Sequence, residues 1–167
     1  MISPMKKMNC HWSLLWLLLL ILLVGCGGRA KVKQSAVDDV APAGDDKGEV
    51  VATARRVIGV PYRFGGATPG QGFDCSGLVQ YSYAQAGLRT PRTVSQQKRA
   101  ARPRDLVTLQ PGDLLFFDTR YKGGHVGIFA GDGQFIHAPS SGGRVRIDQL
   151  DDPYWQQRIV GAGTFQQ

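Results

Sequence analysis

The chain has 167 residues, of which 20 are Lys or Arg and 13 are Asp or Glu, for a formal net charge of +7. Hydrophobic residues make up 43% of it, enough to bury a core without disulfides in one domain. With only three cysteines and three histidines, any thiol or imidazole chemistry rests on a handful of positions.

Lys6 and Lys7 open a basic stretch, and Trp12 to Val24 is an apolar run broken only by Ser13. That is too short to span a bilayer comfortably as a helix. It ends in Leu23-Val24-Gly25-Cys26, similar to the bacterial lipobox, so residues 1–25 are expected to be a lipoprotein signal peptide and Cys26 the lipidation site. Gly27 after the cysteine, by the same resemblance, implies sorting to the outer membrane, facing the periplasm. Loss of Lys6 and Lys7 would take the net charge from +7 to +5. With Cys10 removed and Cys26 acylated, Cys75 would be the one free thiol, and no internal disulfide could form. A lone thiol in an oxidising compartment needs burial or a function. Residues 26–47 are small, polar and charged and read as a flexible tether, leaving 48–167 as one domain.

Val50, Val51, Ala54, Val57 and Ile58 recur at helical spacing within Glu49–Ile58, ahead of Gly59. A Gly- and Pro-rich loop then leads to Phe73-Asp74-Cys75-Ser76-Gly77-Leu78-Val79. Asp74 is placed as an N-cap, Cys75 as the first helical residue, and Gly87 as the stop. The positive end of a helix favours a thiolate, although a free cysteine is as readily a small buried hydrophobe. Residues 95–101 are expected to form a short helix capped by Ser95. Strands are expected at 113–118, 126–130, 134–138, 144–147 and 157–161, separated by Gly-rich turns. Helices first and antiparallel strands afterwards predict an α+β fold.

His125 and His137 flank Gly131-Asp132-Gly133. A three-residue hairpin loop there pairs 130 with 134, and hence Gly127 with His137, leaving an empty gap beside the rings. The two histidines then lie diagonally on one face, roughly 7–8 Å apart at the backbone. Val126, Ile128, Ile136 and Ala138 share the other face, suited to a core. A two-residue loop would separate the rings onto opposite faces. One thiol at a helix start and two imidazoles on one sheet face are the parts that thiol catalysis needs: nucleophile, base, and a group that orients the base. A Cys-His-His zinc site is the other chemical reading, though it lacks a close-spaced ligand pair.

Pro61-Tyr62-Arg63-Phe64-Gly65-Gly66, the Cys75 segment, Gln110-Pro111-Gly112-Asp113-Leu114, His125-Val126-Gly127-Ile128 and Phe135-Ile136-His137-Ala138-Pro139 follow in order. Together they resemble the NlpC-type cysteine peptidases of bacterial cell-wall metabolism, across about residues 48–165. The resemblance implies a papain-like α+β fold and cleavage of peptidoglycan stem peptides or cross-links, at bonds near D-glutamate and diaminopimelate. It also implies that Cys75 is the nucleophile, His125 the base and His137 the orienting residue. Tyr62, Asp74 and Ser76 match positions that hold substrate. No cofactor or metal is implied.

Arg89, Arg92, Lys98, Arg99, Arg102 and Arg104 form a basic run, read either as attraction to anionic peptidoglycan or as a solvated surface. The expected partners are peptidoglycan stem peptides, the membrane through a lipid on Cys26, and a regulatory or adaptor protein, with no nucleic acid. A wall-binding protein without turnover, and a thiol amidase or acyltransferase on the same fold, are the competing functions.

Overall fold

The computed structural model describes residues 46–119, 123–141 and 143–165. The expected signal peptide, Cys26 and the tether as far as residue 45 lie outside them. Among the described residues, no helix is long and apolar enough to cross a membrane.

Helix α1 runs Asp46–Arg56, beginning inside the expected tether and ending two residues before Ile58. Its offset from the predicted span follows charge: Asp46 and Glu49 occupy its first turn, and Arg55 and Arg56 its last, the polarity that a helix dipole favours. Val50, Val51, Ala54 and Val57 are buried as the spacing predicts, whereas Ile58 is exposed. Strands β1 (Ala67–Thr68) and β2 (Gly72–Phe73) form a small antiparallel pair within the stretch expected to be a Gly- and Pro-rich loop. Helix α2 follows as Cys75–Gln85, with Asp74 as its N-cap.

Helix α3 is Val94–Ala100, and its cap is Thr93 rather than Ser95. Thr93 takes the Gln96 N–H while the Gln96 side chain returns to the Thr93 N–H, a reciprocal capping box that Ser95 could not complete. The chain then adds β3 (Arg102–Arg104), a 3₁₀ turn (Leu106–Thr108), β4 (Leu114–Phe117), β5 (His125–Gly131), β6 (Gln134–His137), β7 (Arg146–Gln149), the single-turn helix α4 (Pro153–Gln156) and β8 (Ile159–Thr164). The larger sheet is antiparallel throughout, in the order β3-β8-β4-β5-β6-β7. Helices and antiparallel sheet together make the α+β fold.

One face of the sheet carries Leu114, Phe116, Val126, Ile128, Ile136 and Ala138, packed with the buried residues of α1 and α2. Leu115, Phe117, Phe129, Phe135, Trp155 and Ala162 form a second apolar cluster. The β5–β6 register is the expected one through the body of the hairpin, with Ile128 opposite Ile136 and Phe129 opposite Phe135. At the tip, however, Gly131 pairs with Gln134, so the loop is Asp132-Gly133 alone and a register shift between Phe129 and Gly131 absorbs the extra residue. Asp132 and Gly133 both have positive φ (51° and 70°), as a tight two-residue turn requires. A two-residue loop and one bulge thus leave the histidines where a three-residue loop would have put them.

Candidate active site

Asp74 does more than cap α2. Its Oδ1 accepts the Gly77 N–H at 2.6 Å, and its Oδ2 accepts the Gly65 N–H at 2.9 Å, fastening the preceding loop to the helix start. Arg92 closes on both oxygens, at 2.9 and 2.6 Å, and also donates to Ser76 Oγ at 3.0 Å. Ser76 Oγ donates to Asp74 Oδ1 at 3.2 Å. Burial works against the Asp74 charge, but the bonds from Arg92, Gly77 and Gly65 outweigh it and hold the carboxyl below its usual range. Gly77 is small because α2 lies on the loop before it: a Cβ there would stand 2.1 Å from the Gly66 carbonyl oxygen.

Arg92 belonged to the basic run, and the run does not act as one surface. Arg92 is spent on Asp74, Arg104 Nε lies 3.5 Å from the fully buried Asp113, and Arg89, Lys98, Arg99 and Arg102 are exposed. Tyr62, partly buried against the core, bridges to Phe73, two residues ahead of the thiol, and its N–H donates to the Gly143 carbonyl at 2.9 Å.

Cys75 is partly buried and free. Its thiol meets β5 at the backbone N–H of Val126, the residue after His125. Burial pushes the thiol up to about 11; the Asp74 charge adds to the rise, while the N–H groups of Val126, Ser76 and Cys75 itself pull the other way. The N–H groups at the helix start thus favour the thiolate, as a helix terminus should, but they do not prevail. Desolvation beside a carboxylate outweighs the helix terminus, and the thiolate needs a group to take its proton.

The two histidines share one side of the sheet and touch: His125 Nε2 and His137 Nδ1 are 2.8 Å apart. The space by Gly127 is not empty, as expected from sequence, but is filled by Phe135, since a Cβ on Gly127 would come within 2.5 Å of Phe135 Cδ2. Phe135, Phe117 and Trp155 wall the pair, with Trp155 stacked on His125 at 5.6 Å between centroids and 25° between planes. Burial holds His125 down to about 3, reinforced by His137, and burial also lowers His137. Both rings are thus neutral near neutral pH. Two nitrogens bound to one tetrahedral zinc would stand about 3.3 Å apart, so a 2.8 Å approach fits a shared proton better than a shared metal.

Beyond His137 lies a residue the sequence reading passed over. His137 Nε2 is 3.0 Å from Asp148 Oδ2. Arg146 donates through Nε to Oδ1 and through Nη2 to Oδ2, both at 2.9 Å, and Trp155 Nε1 donates to Oδ2 at 3.1 Å. The register that matters is β6 on β7, with Phe135 opposite Asp148 and His137 opposite Arg146. Applying to that pair the same alternation used for β5 and β6 puts Asp148 diagonal to His137 on its own face. His125 also opens on a cleft of about 320 Å³ lined by Thr119, Pro139, Ser140, Arg146, Tyr154 and Trp155.

Residues 59–164 match the model of the NlpC/P60 family. The chain is 45% identical over 119 residues to gamma-DL-glutamyl hydrolase of Bacillus subtilis, covering 70% of this chain and 29% of that protein. It is 46% identical over 110 residues to murein DD-endopeptidase MepH of Escherichia coli, covering 63% of this chain and 41% of that one. The chain therefore spans less than half the length of either relative. Among solved structures, a protein similar to a lipoprotein of the NLP/P60 family from Staphylococcus aureus superposes with a TM-score of 0.68 at 33% identity, over 74% of this chain and 42% of that one. The matched region takes in Tyr62, the Cys75 helix, both histidines and Asp148, and the chain belongs to the NlpC/P60 family.

Proposed function

We propose that the chain is a cell-wall hydrolase, a cysteine endopeptidase that cuts peptidoglycan stem peptides or cross-links, with Cys75 as nucleophile, His125 as general base and His137 as its orienting residue. The observation that carries the reading is the line His125–His137–Asp148 across three neighbouring strands, starting on the strand whose next N–H, that of Val126, meets the thiol. The relatives' names, a gamma-DL-glutamyl hydrolase and a murein DD-endopeptidase, support peptidoglycan as the substrate class.

His125 Nε2 is occupied by His137, so the nitrogen left for the thiol proton is Nδ1. Transfer of that proton leaves a thiolate and an imidazolium, whose charge is welcomed by the Trp155 face and, through His137, by Asp148. The sulfur attacks the scissile carbonyl carbon, the electron pair moves to oxygen, and the Cys75 N–H at the helix start is the natural oxyanion donor. Collapse breaks the C–N bond, and the leaving amine takes the proton from His125. Water then attacks the thioester carbon as His125 takes its proton; the C–S bond breaks, the carboxylic acid product leaves, and His125 returns the proton to the sulfur. Tyr62, Asp74 and Ser76 hold the substrate.

The same reading puts the mature chain on the outer membrane, facing the periplasm, through a lipid on Cys26, with a regulatory or adaptor protein as a further partner. Leu23-Val24-Gly25-Cys26 supports the anchor. Radiolabelled fatty acid should be incorporated by the wild type and not by Cys26→Ser; equal labelling contradicts it. For the activity, mass spectrometry of purified sacculi digested with wild type or Cys75→Ala is the test. New peptide ends should appear with the wild type alone and survive a chelator. Ends that also appear with Cys75→Ala contradict a cysteine peptidase, and inhibition reversed by zinc favours a metal site.

A further inference from the structure

Asp148 is surrounded by donors. Arg146 Nε and Nη2 and Trp155 Nε1 can only donate, and between them they occupy both carboxylate oxygens. Oδ2, the oxygen that faces His137, thus already accepts from two donors and has no proton to offer, and the side chain is only 19% exposed. His137 Nε2, 3.0 Å from Oδ2, must then be the donor of that bond. The His137 ring is completely buried, and a neutral imidazole carries one proton, so its Nδ1 is a bare acceptor. The 2.8 Å contact with His125 then has one sense: His125 Nε2 donates and His137 Nδ1 accepts. His125 in turn has its proton committed at Nε2 and its lone pair at Nδ1.

Resting on the peptidase reading above, we propose that Asp148, held by Arg146 and Trp155, is a positioning residue that locks both histidines in the Nε2–H tautomer and so leaves His125 Nδ1 bare for the Cys75 proton. Without an acceptor at Asp148, His137 can carry its proton on Nδ1 and donate to His125 Nε2. That exchange moves the His125 proton to Nδ1 and closes the base to the thiol. The selection passes through two rings without Asp148 touching sulfur. The imidazolium formed during turnover keeps the same two bonds, so no ring needs to turn.

Nitrogen-15 NMR of the imidazole rings in the full chain, purified in detergent, measures this directly above neutral pH. In the wild type, Nδ1 of both His125 and His137 should be unprotonated and Nε2 of both protonated. Either ring in the Nδ1–H form overturns the proposal, whatever the variants do. Asp148→Ala should populate the Nδ1–H form and lower kcat about a hundredfold or more, the scale of a lost general base. Asp148→Asn retains an acceptor oxygen and should recover part of kcat together with the Nε2–H form. Asp148→Ala with wild-type tautomers and kcat within threefold overturns the proposal. The two failures separate cleanly: sacculi left uncut by the wild type contradict the hydrolase reading, and protonated Nδ1 atoms contradict the role of Asp148.

Discussion

Asp74 and Asp148 are both largely buried carboxylates gripped by an arginine, with side chains 11% and 19% exposed. Asp74 belongs to the helix that carries the thiol, and its charge raises Cys75. Asp148 belongs to the sheet that carries the imidazoles, and its charge raises His125 and His137 against burial, which lowers both. A negative charge opposes a neighbouring thiolate and supports a neighbouring imidazolium. On the proposed mechanism Asp148 assists the proton transfer, whereas Asp74 impedes it except as far as Arg92 neutralises the charge. Asp74 fixes the helix start and the loop, besides its proposed contact with substrate, while Asp148 meets the rings through His137.

The largest way to break this contrast is on the sheet side. His125→Ala should lose about 10²–10⁴-fold in kcat, the span typical of acid–base groups. His137→Ala should also be impaired, with His137→Asn or His137→Gln restoring part of the rate, because an orienting hydrogen bond can be supplied by another polar group. Turnover of a defined muropeptide checks both.

On the helix side, Arg92→Met leaves Asp74 without its cation. Breaking a fully buried pair costs about 3–5 kcal/mol, but Arg92 is 34% exposed, so roughly 1–3 kcal/mol is expected in urea unfolding. The uncompensated Asp74 charge should also move the alkylation profile of Cys75 to higher pH. Gly127→Ala forces the Phe135 ring aside and should destabilise by about 1–2 kcal/mol, measured the same way.

A separate effect, read through pH, sharpens the comparison further. His125 is held at about 3 when folded, against about 6.5 when unfolded. Between these values the unfolded chain holds a proton that the folded chain lacks. Stability is fully present above pH 6.5 and falls as the pH drops, by at most roughly 1.4 kcal/mol per unit. The lowered Asp74 and Asp148 add their own loss only below about pH 3.9. Urea unfolding at a series of pH values should show a shallower fall between pH 6 and 4 in His125→Gln than in the wild type.

What could be read from sequence divides along the same line. Asp74, Cys75 and Gly87 punctuate one helix, and local capping rules find them. The histidines needed one step more, the parity of a hairpin, and the face came out correctly although the tip closes with a bulge. Asp148 and Trp155 stayed hidden because they meet His137 only through a second strand pairing and a single-turn helix. Arg92 looked like one charge in a run; its tie to Asp74 spans 18 residues and no periodicity encodes it. For a related reason local sequence leaves the Cys75 thiol open between nucleophile and buried hydrophobe, since helix position is local and desolvation is set by the whole fold.

The central claim is that the proton of Cys75 goes to His125, and the rate of Cys75 alkylation by iodoacetamide as a function of pH tests it most directly. A thiol raised to about 11 with no base beside it should react appreciably only in strong alkali. The wild type should react near neutral pH, His137→Gln should keep part of that reactivity, and His125→Gln should react only at high pH. Neutral-pH alkylation and turnover retained in His125→Gln but lost in His137→Gln would contradict the account and exchange the two roles.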